Sequence, residues 1–130
     1  MTDPVEFLDL DDLIGLARRL LCDPPPVRDI GLLAAAAARP QTTVGGHDAY
    51  PTLWWKAAAL LQSIVNNHAL IDGNKRLGWL ATAVFIEING QSLSGASNDD
   101  VYRLVMQVAS ERVELSRIAA TLEGLARPPA

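Results

Sequence analysis

The amino-acid sequence predicts an all-α protein, a mainly helical bundle interrupted by one short hairpin, and three observations carry that expectation. Apolar residues recur at spacings of three and four through most of the 130 residues instead of alternating. Hydrophobic residues make up 49% of the chain and alanine is abundant, which is enough to fill one core without disulfides or structural metals. Turn formers fall between the periodic stretches, at Pro24-Pro25-Pro26, Gly45-Gly46, Asp72-Gly73-Asn74 and Asn89-Gly90. With this length and no internal repeat, residues 1–130 read as one domain.

Residues 1–8 read as an extended lead-in. Asp9 is placed to cap a first helix, with Asp11 and Asp12 in its first turn and Arg18 and Arg19 near its end, each charge matched to the helix dipole. Three consecutive prolines stop that helix, and the connector they make is too short for a domain boundary. Asp29 caps a second helix that carries Ile30, Leu32, Leu33 and the run from Ala34 to Ala38 before Pro40 ends it. The alanines favour helix and let neighbouring helices approach closely. Arg28 reads as a solvated arginine ahead of that helix, with the ligand cleft as the alternative.

Residues 41–50 place β-branched residues around Gly45-Gly46, so a small hairpin or ordered flap is expected there. His47 lies in it and reads as an exposed loop histidine. Trp54-Trp55 open a third helix as packing or cleft-rim residues. Leu53, Ala57, Leu60, Leu61, Ile64, Val65 and His68 fall on one face of it, which predicts an inward-looking imidazole. A fourth helix begins near Asn74, carries Leu77, Leu80, Ala81, Val84, Phe85 and Ile88, and closes at Asn89-Gly90. Ser97 with Asp100 resembles a capping box for a helix through Ala109, and Glu114 to Arg127 reads as the last helix before a Pro-Pro tail.

Charge and composition exclude several classes of function. A net charge of −4 argues against a nucleic-acid binder, which would carry a basic face. Apolar runs fall short of the roughly 18 residues of a membrane span, and the N-terminus lacks a basic, then apolar, then small-residue signal. The single cysteine, Cys22, fits a reducing cytoplasm and reads as a small buried apolar residue.

The chemistry concentrates between the third and fourth helices, where nine residues hold His68, Asp72, Gly73, Asn74, Lys75 and Arg76. A helix start presents free N–H groups and the positive end of a dipole, and Gly73 lets a ligand approach the backbone. Lys75 and Arg76 oppose that dipole unless an anion sits between them. Singly, the histidine would be structural and the Asp-Gly-Asn turn ordinary. As an ordered set between two amphipathic helices they read as a phosphate site. One histidine and one carboxylate do not close a zinc site, whereas Asp72 and nucleotide phosphates together suit magnesium.

His68-Ala69-Leu70-Ile71-Asp72-Gly73-Asn74-Lys75-Arg76, followed by an apolar helix, resembles the signature of the Fic/Doc family, roughly H-x-F-x-[DE]-G-N-[GK]-R. It is most similar to the Doc branch: Lys75 stands where the nucleotide-transferring Fic proteins have a second glycine, and Trp79 where they have a second arginine. The family's usual Pro and Phe after the histidine are Ala69 and Leu70 here. The likeness extends more loosely over residues 27–122, with residues 41–50 as the flap and 68–76 as the active-site motif.

The resemblance implies a toxin of a toxin–antitoxin system that moves a phosphate from ATP to a hydroxyl of a protein target, elongation factor Tu in the family. His68 would be the base, and Asp72 would hold Mg2+ or orient the substrate. Gly73, Asn74, Lys75 and Arg76 would bind phosphate oxygens, with Lys75 and Arg76 also stabilising the charge that develops in transfer. It also implies that the flap holds the target's backbone by strand addition. AMP transfer and a non-catalytic helical interaction module stay open as alternatives. Fic proteins that silence themselves carry [ST]-x-x-x-E-[GN], and here Ala119 occupies the hydroxyl position ahead of Glu123-Gly124. The expected inhibitor is therefore a separate antitoxin acting in trans.

Overall fold

A computed structural model describes residues 4–110 and 112–126. Helix α1 spans Leu10–Leu20, and the reciprocal bonds of its capping box join Asp9 and Asp12. Helix α2 spans Ile30–Ala38 and is capped by the Asp29 carboxylate, which accepts from the Leu32 amide at 3.1 Å. A 3-10 turn, Arg39–Gln41, leads into a hairpin of β1 (Thr43–Val44) and β2 (His47–Asp48). Gly45 and Gly46 both have positive φ, 59° and 82°, the geometry that a two-residue hairpin turn demands. Helix α3 spans Leu53–Asn67, α4 Asn74–Ile88, α5 Asn98–Ser110 and α6 Leu115–Ala126. The expected last residue of α6, Arg127, and the Pro-Pro tail lie outside the described residues, as do residues 1–3 of the lead-in.

The architecture follows from α3, which buries every residue from Lys56 to Leu61 along with Ser63, Ile64 and Val65. A helix apolar nearly all round must be central, and α3 packs against α2, α4, α5 and α6. Its approach to α4 depends on Gly78: a Cβ there would stand 2.7 Å from Val65 Cγ2. The two helices that flank the motif are therefore locked together just behind it. Trp54 and Trp55 are partly buried against the core, and Ala36 and Ala37 pack inside it, as expected.

The caps at the other ends behave as the sequence predicts. Ser97 Oγ accepts from the Asp100 amide at 3.1 Å, and Asn89 ends α4 with Gly90 beyond it at a φ of 87°. Cys22 corrects an expectation. It is exposed, because α1 stops at Leu20 and leaves the thiol in the turn before the prolines, where Sγ donates to the Pro24 carbonyl at 3.4 Å. Among the described residues, no helix is long and apolar enough to cross a membrane.

Candidate active site

The loop between α3 and α4 begins at a conformational break. His68 caps α3 in the left-handed region, φ 55° and ψ 40°, the one non-glycine residue at positive φ among those described. That rotation corrects the inward-looking imidazole that the apolar spacing predicts. The helix stops one residue before the periodicity does, and the left-handed turn swings His68 off the buried face into solvent. Such a conformation costs roughly 1–2 kcal/mol and persists only where the surroundings dictate it.

The segment ahead of α2 supplies those surroundings. Arg28 Nε donates to the His68 carbonyl at 2.8 Å and Arg28 Nη2 donates to the same oxygen. The Arg28 and Asp29 amides donate to the Ala69 carbonyl at 2.8 and 3.0 Å, and the Ile71 amide donates to Pro26 at 2.8 Å. Val27 and Leu70 thus form an isolated antiparallel bridge. Ala69 and Leu70, the residues that depart from the family pattern, are each 2% exposed, so both serve as plugs that sink the loop into the core.

Asn74 fixes the far side of the loop. Its Oδ1 accepts from the Leu70 amide and its Nδ2 donates to the Leu70 carbonyl, both at 3.0 Å. The Asn74 side chain is thereby committed to the loop, and only its main chain faces a ligand. Asp72 Oδ1 accepts from the Gly73 amide at 2.9 Å. Gly73 is the N-cap of α4 at φ 90°, packed so tightly on α1 that a Cβ would meet Leu21 Cδ1 at 2.7 Å. A glycine cap offers no side chain to the first-turn amides, so they stay open to an anion. Lys75 and Arg76 stand exposed in that first turn.

All six motif residues, His68, Asp72, Gly73, Asn74, Lys75 and Arg76, line one open cavity of about 400 Å3, together with Val65 and Ile71. Lys75 and Arg76 also border an apolar groove of about 500 Å3 formed with Leu20, Trp79, Val101, Tyr102 and Val105. The two cations therefore sit on the ridge between a polar cavity and a greasy one. Two participants escape the sequence reading. Ile71 is 73% exposed on the cavity wall, which no helical period marks. Arg28 is exposed, as its place ahead of the helix suggests, and its guanidinium also anchors the His68 carbonyl, a role that depends on a residue 40 positions away.

Among the described residues, no group of three or more His, Cys, Asp or Glu side chains could hold a metal ion. A lone exposed carboxylate at the cavity suits magnesium, which takes few protein ligands and completes its shell with phosphates and water. It does not suit zinc. The flap is bonded to α3, and none of its residues lines this cavity. Lys56, 3% exposed, donates to Asp48 Oδ2 at 3.1 Å and to the Tyr50 carbonyl. Arg39 Nε donates to the Tyr50 hydroxyl at 2.9 Å, and Arg39 Nη1 donates to Gln62 and Ser63 of α3 at 2.8 and 3.0 Å. His47 is exposed on β2 and does not line the cavity, as its sequence context suggests.

Comparison with known proteins agrees with this arrangement. The sequence profile described as the Fic/DOC family matches residues 7–86. The chain is also 51% identical over 124 residues to Toxin Doc of Mycolicibacterium smegmatis (strain ATCC 700084 / mc(2)155), covering 93% of this chain and 94% of that protein. A mainly helical bundle, an exposed histidine beside an uncapped helix start, and a match running through both make the chain a member of the Fic/DOC family.

Proposed function

We propose that the protein is the toxin of a toxin–antitoxin pair, and that it transfers the terminal phosphate of ATP to a hydroxyl of a protein target. The observation that carries this reading is the joint exposure of His68, Asp72, Lys75 and Arg76 around one cavity at an uncapped helix start. The likeness to Toxin Doc supports the biological setting.

His68 accepts the proton of the target hydroxyl, a task suited to an imidazole at neutral pH. As that oxygen bonds to the γ-phosphorus, the bond from γ-phosphorus to the β–γ bridging oxygen breaks and ADP leaves. The first-turn amides of α4 and the Lys75 and Arg76 side chains bind phosphate oxygens and offset the charge that develops on them. Asp72 is the residue that would hold magnesium, which when bound neutralises phosphate charge. Trp79 favours γ-phosphate transfer over AMP transfer, because it puts an indole against the apolar groove where nucleotide-transferring relatives have a second guanidinium. The target is a translation factor by family analogy, elongation factor Tu first. An antitoxin segment seated in the groove beside Trp79 would cover Lys75 and Arg76 and so compete with the nucleotide. Ala119 is buried in α6, with no hydroxyl to complete a self-inhibiting helix.

The test is incubation of the purified protein with magnesium and either γ- or α-labelled ATP, with bacterial lysate or purified elongation factor Tu as acceptor. Label from the γ position on a protein band is expected; label from the α position would establish AMP transfer instead. His68→Ala should abolish transfer and toxicity, about a hundredfold to ten-thousandfold in rate, and remain folded because the ring is exposed. A toxic His68→Ala variant would remove the assigned base.

A further inference from the structure

We infer that Arg28 is a positioning residue for His68, holding the catalytic imidazole over the phosphate cavity through its main-chain carbonyl; this rests on the reading of His68 as the base. Arg28 directs two guanidinium donors, Nε and Nη2, at a single oxygen, the carbonyl of His68. That oxygen belongs to the left-handed residue that ends α3, where intrahelical partners have run out. Charge-assisted bonds of this kind are roughly twice as strong as neutral ones, and a planar fork fixes orientation as well as distance. The next carbonyl, of Ala69, is held by the Arg28 and Asp29 amides, so the two successive peptide units that follow His68 are both tied to the same short segment.

The direction of an imidazole is set by its Cα–Cβ vector, which φ and ψ fix, and by χ1, whose allowed rotamers depend on that same backbone conformation. His68 has a φ of 55°, outside the broad wells of an L-residue, so release of the carbonyl lets the residue fall back toward helical or extended backbone. Either relaxation turns the ring away from the start of α4. Arg28 is absent from the residues that line the cavity, so its effect on the chemistry passes through His68.

The experiment compares the full-length wild type with Arg28→Ala and Arg28→Lys. The chain has two histidines, and His47→Gln assigns the remaining imidazole resonances to His68. In nucleotide-free protein, the NMR couplings about the His68 Cα–Cβ bond should report one rotamer in wild type and an average in Arg28→Ala, with Arg28→Lys between them. In the labelled-ATP assay, kcat should fall about tenfold to a hundredfold for Arg28→Ala while KM for ATP stays the same. Unchanged couplings would overturn the inference, and so would a raised KM at constant kcat, which would make Arg28 a ligand contact. Loss of the global fold in both variants would also overturn it, by making Arg28 a residue of the scaffold alone. If wild type transfers no label, the assigned reaction fails separately, since the couplings are measured without nucleotide and still decide whether Arg28 orients the ring.

Discussion

The loop from His68 to Asn74 and the flap from Thr42 to Tyr50 are both short irregular segments, and they are held in opposite ways. The loop is tied by main-chain bonds to Pro26, Arg28 and Asp29, by the Asn74 side chain, and by two buried plugs, Ala69 and Leu70. The flap has a two-residue ladder whose four residues are all exposed, and its end is gripped by two cations reaching from outside, Lys56 and Arg39. Main-chain and amide bonds closed over buried residues fix one geometry, whereas a ribbon whose own residues are all exposed can open locally. Under the proposed function this contrast divides the labour: the loop would hold the reacting group in place and the flap would adapt to a protein partner.

The largest effect that would test this contrast is expected at Asn74. Asn74→Ala leaves both the amide and the carbonyl of Leu70, a residue 2% exposed, without their side-chain partner. Urea unfolding should register a loss of about 1–3 kcal/mol for each group left unsatisfied, and transfer should fall with it. A smaller and different effect is expected from Lys56→Met, a volume-conserving replacement at a buried position. Hydrogen exchange at Thr43, Val44, His47 and Asp48 should accelerate, while global stability falls less than for Asn74→Ala, because one carbonyl, that of Tyr50, loses its donor and Asp48 is largely exposed. Phosphate transfer to protein should weaken in KM for the acceptor with ATP binding unaltered. Tyr50→Phe is expected to do least, about 0.5–1.5 kcal/mol, since it removes a single bond to Arg39 and keeps the ring beneath the guanidinium. A flap variant that lowered stability more than Asn74→Ala would reverse the comparison.

The capping residues Asp9, Asp29 and Ser97 mark their helices because caps are local: donor and acceptor lie three residues apart. The Gly45-Gly46 turn and the glycine ahead of Asn74 are legible for the same reason, each being a backbone demand met by one residue type. The Fic/DOC signature is likewise contiguous, so its membership is readable without coordinates. The orientation of His68 is not, since helical spacing carried one residue too far gives an inward ring, and the break depends on Arg28 and Pro26 from a distant part of the chain.

By itself the sequence determined the six helices and the hairpin, the caps at Asp9, Asp29 and Ser97, and which six residues crowd together between α3 and α4. The tertiary structure decided what those residues do for one another: Asn74 is committed to the loop, Gly73 to contact with Leu21, and His68 to solvent. Lys56 and Arg39 become flap anchors only when α3 passes beneath the hairpin. The physical reason is range. Propensity and capping act over a few residues and are written along the chain, whereas the partner of a carbonyl or a buried cation is chosen by packing.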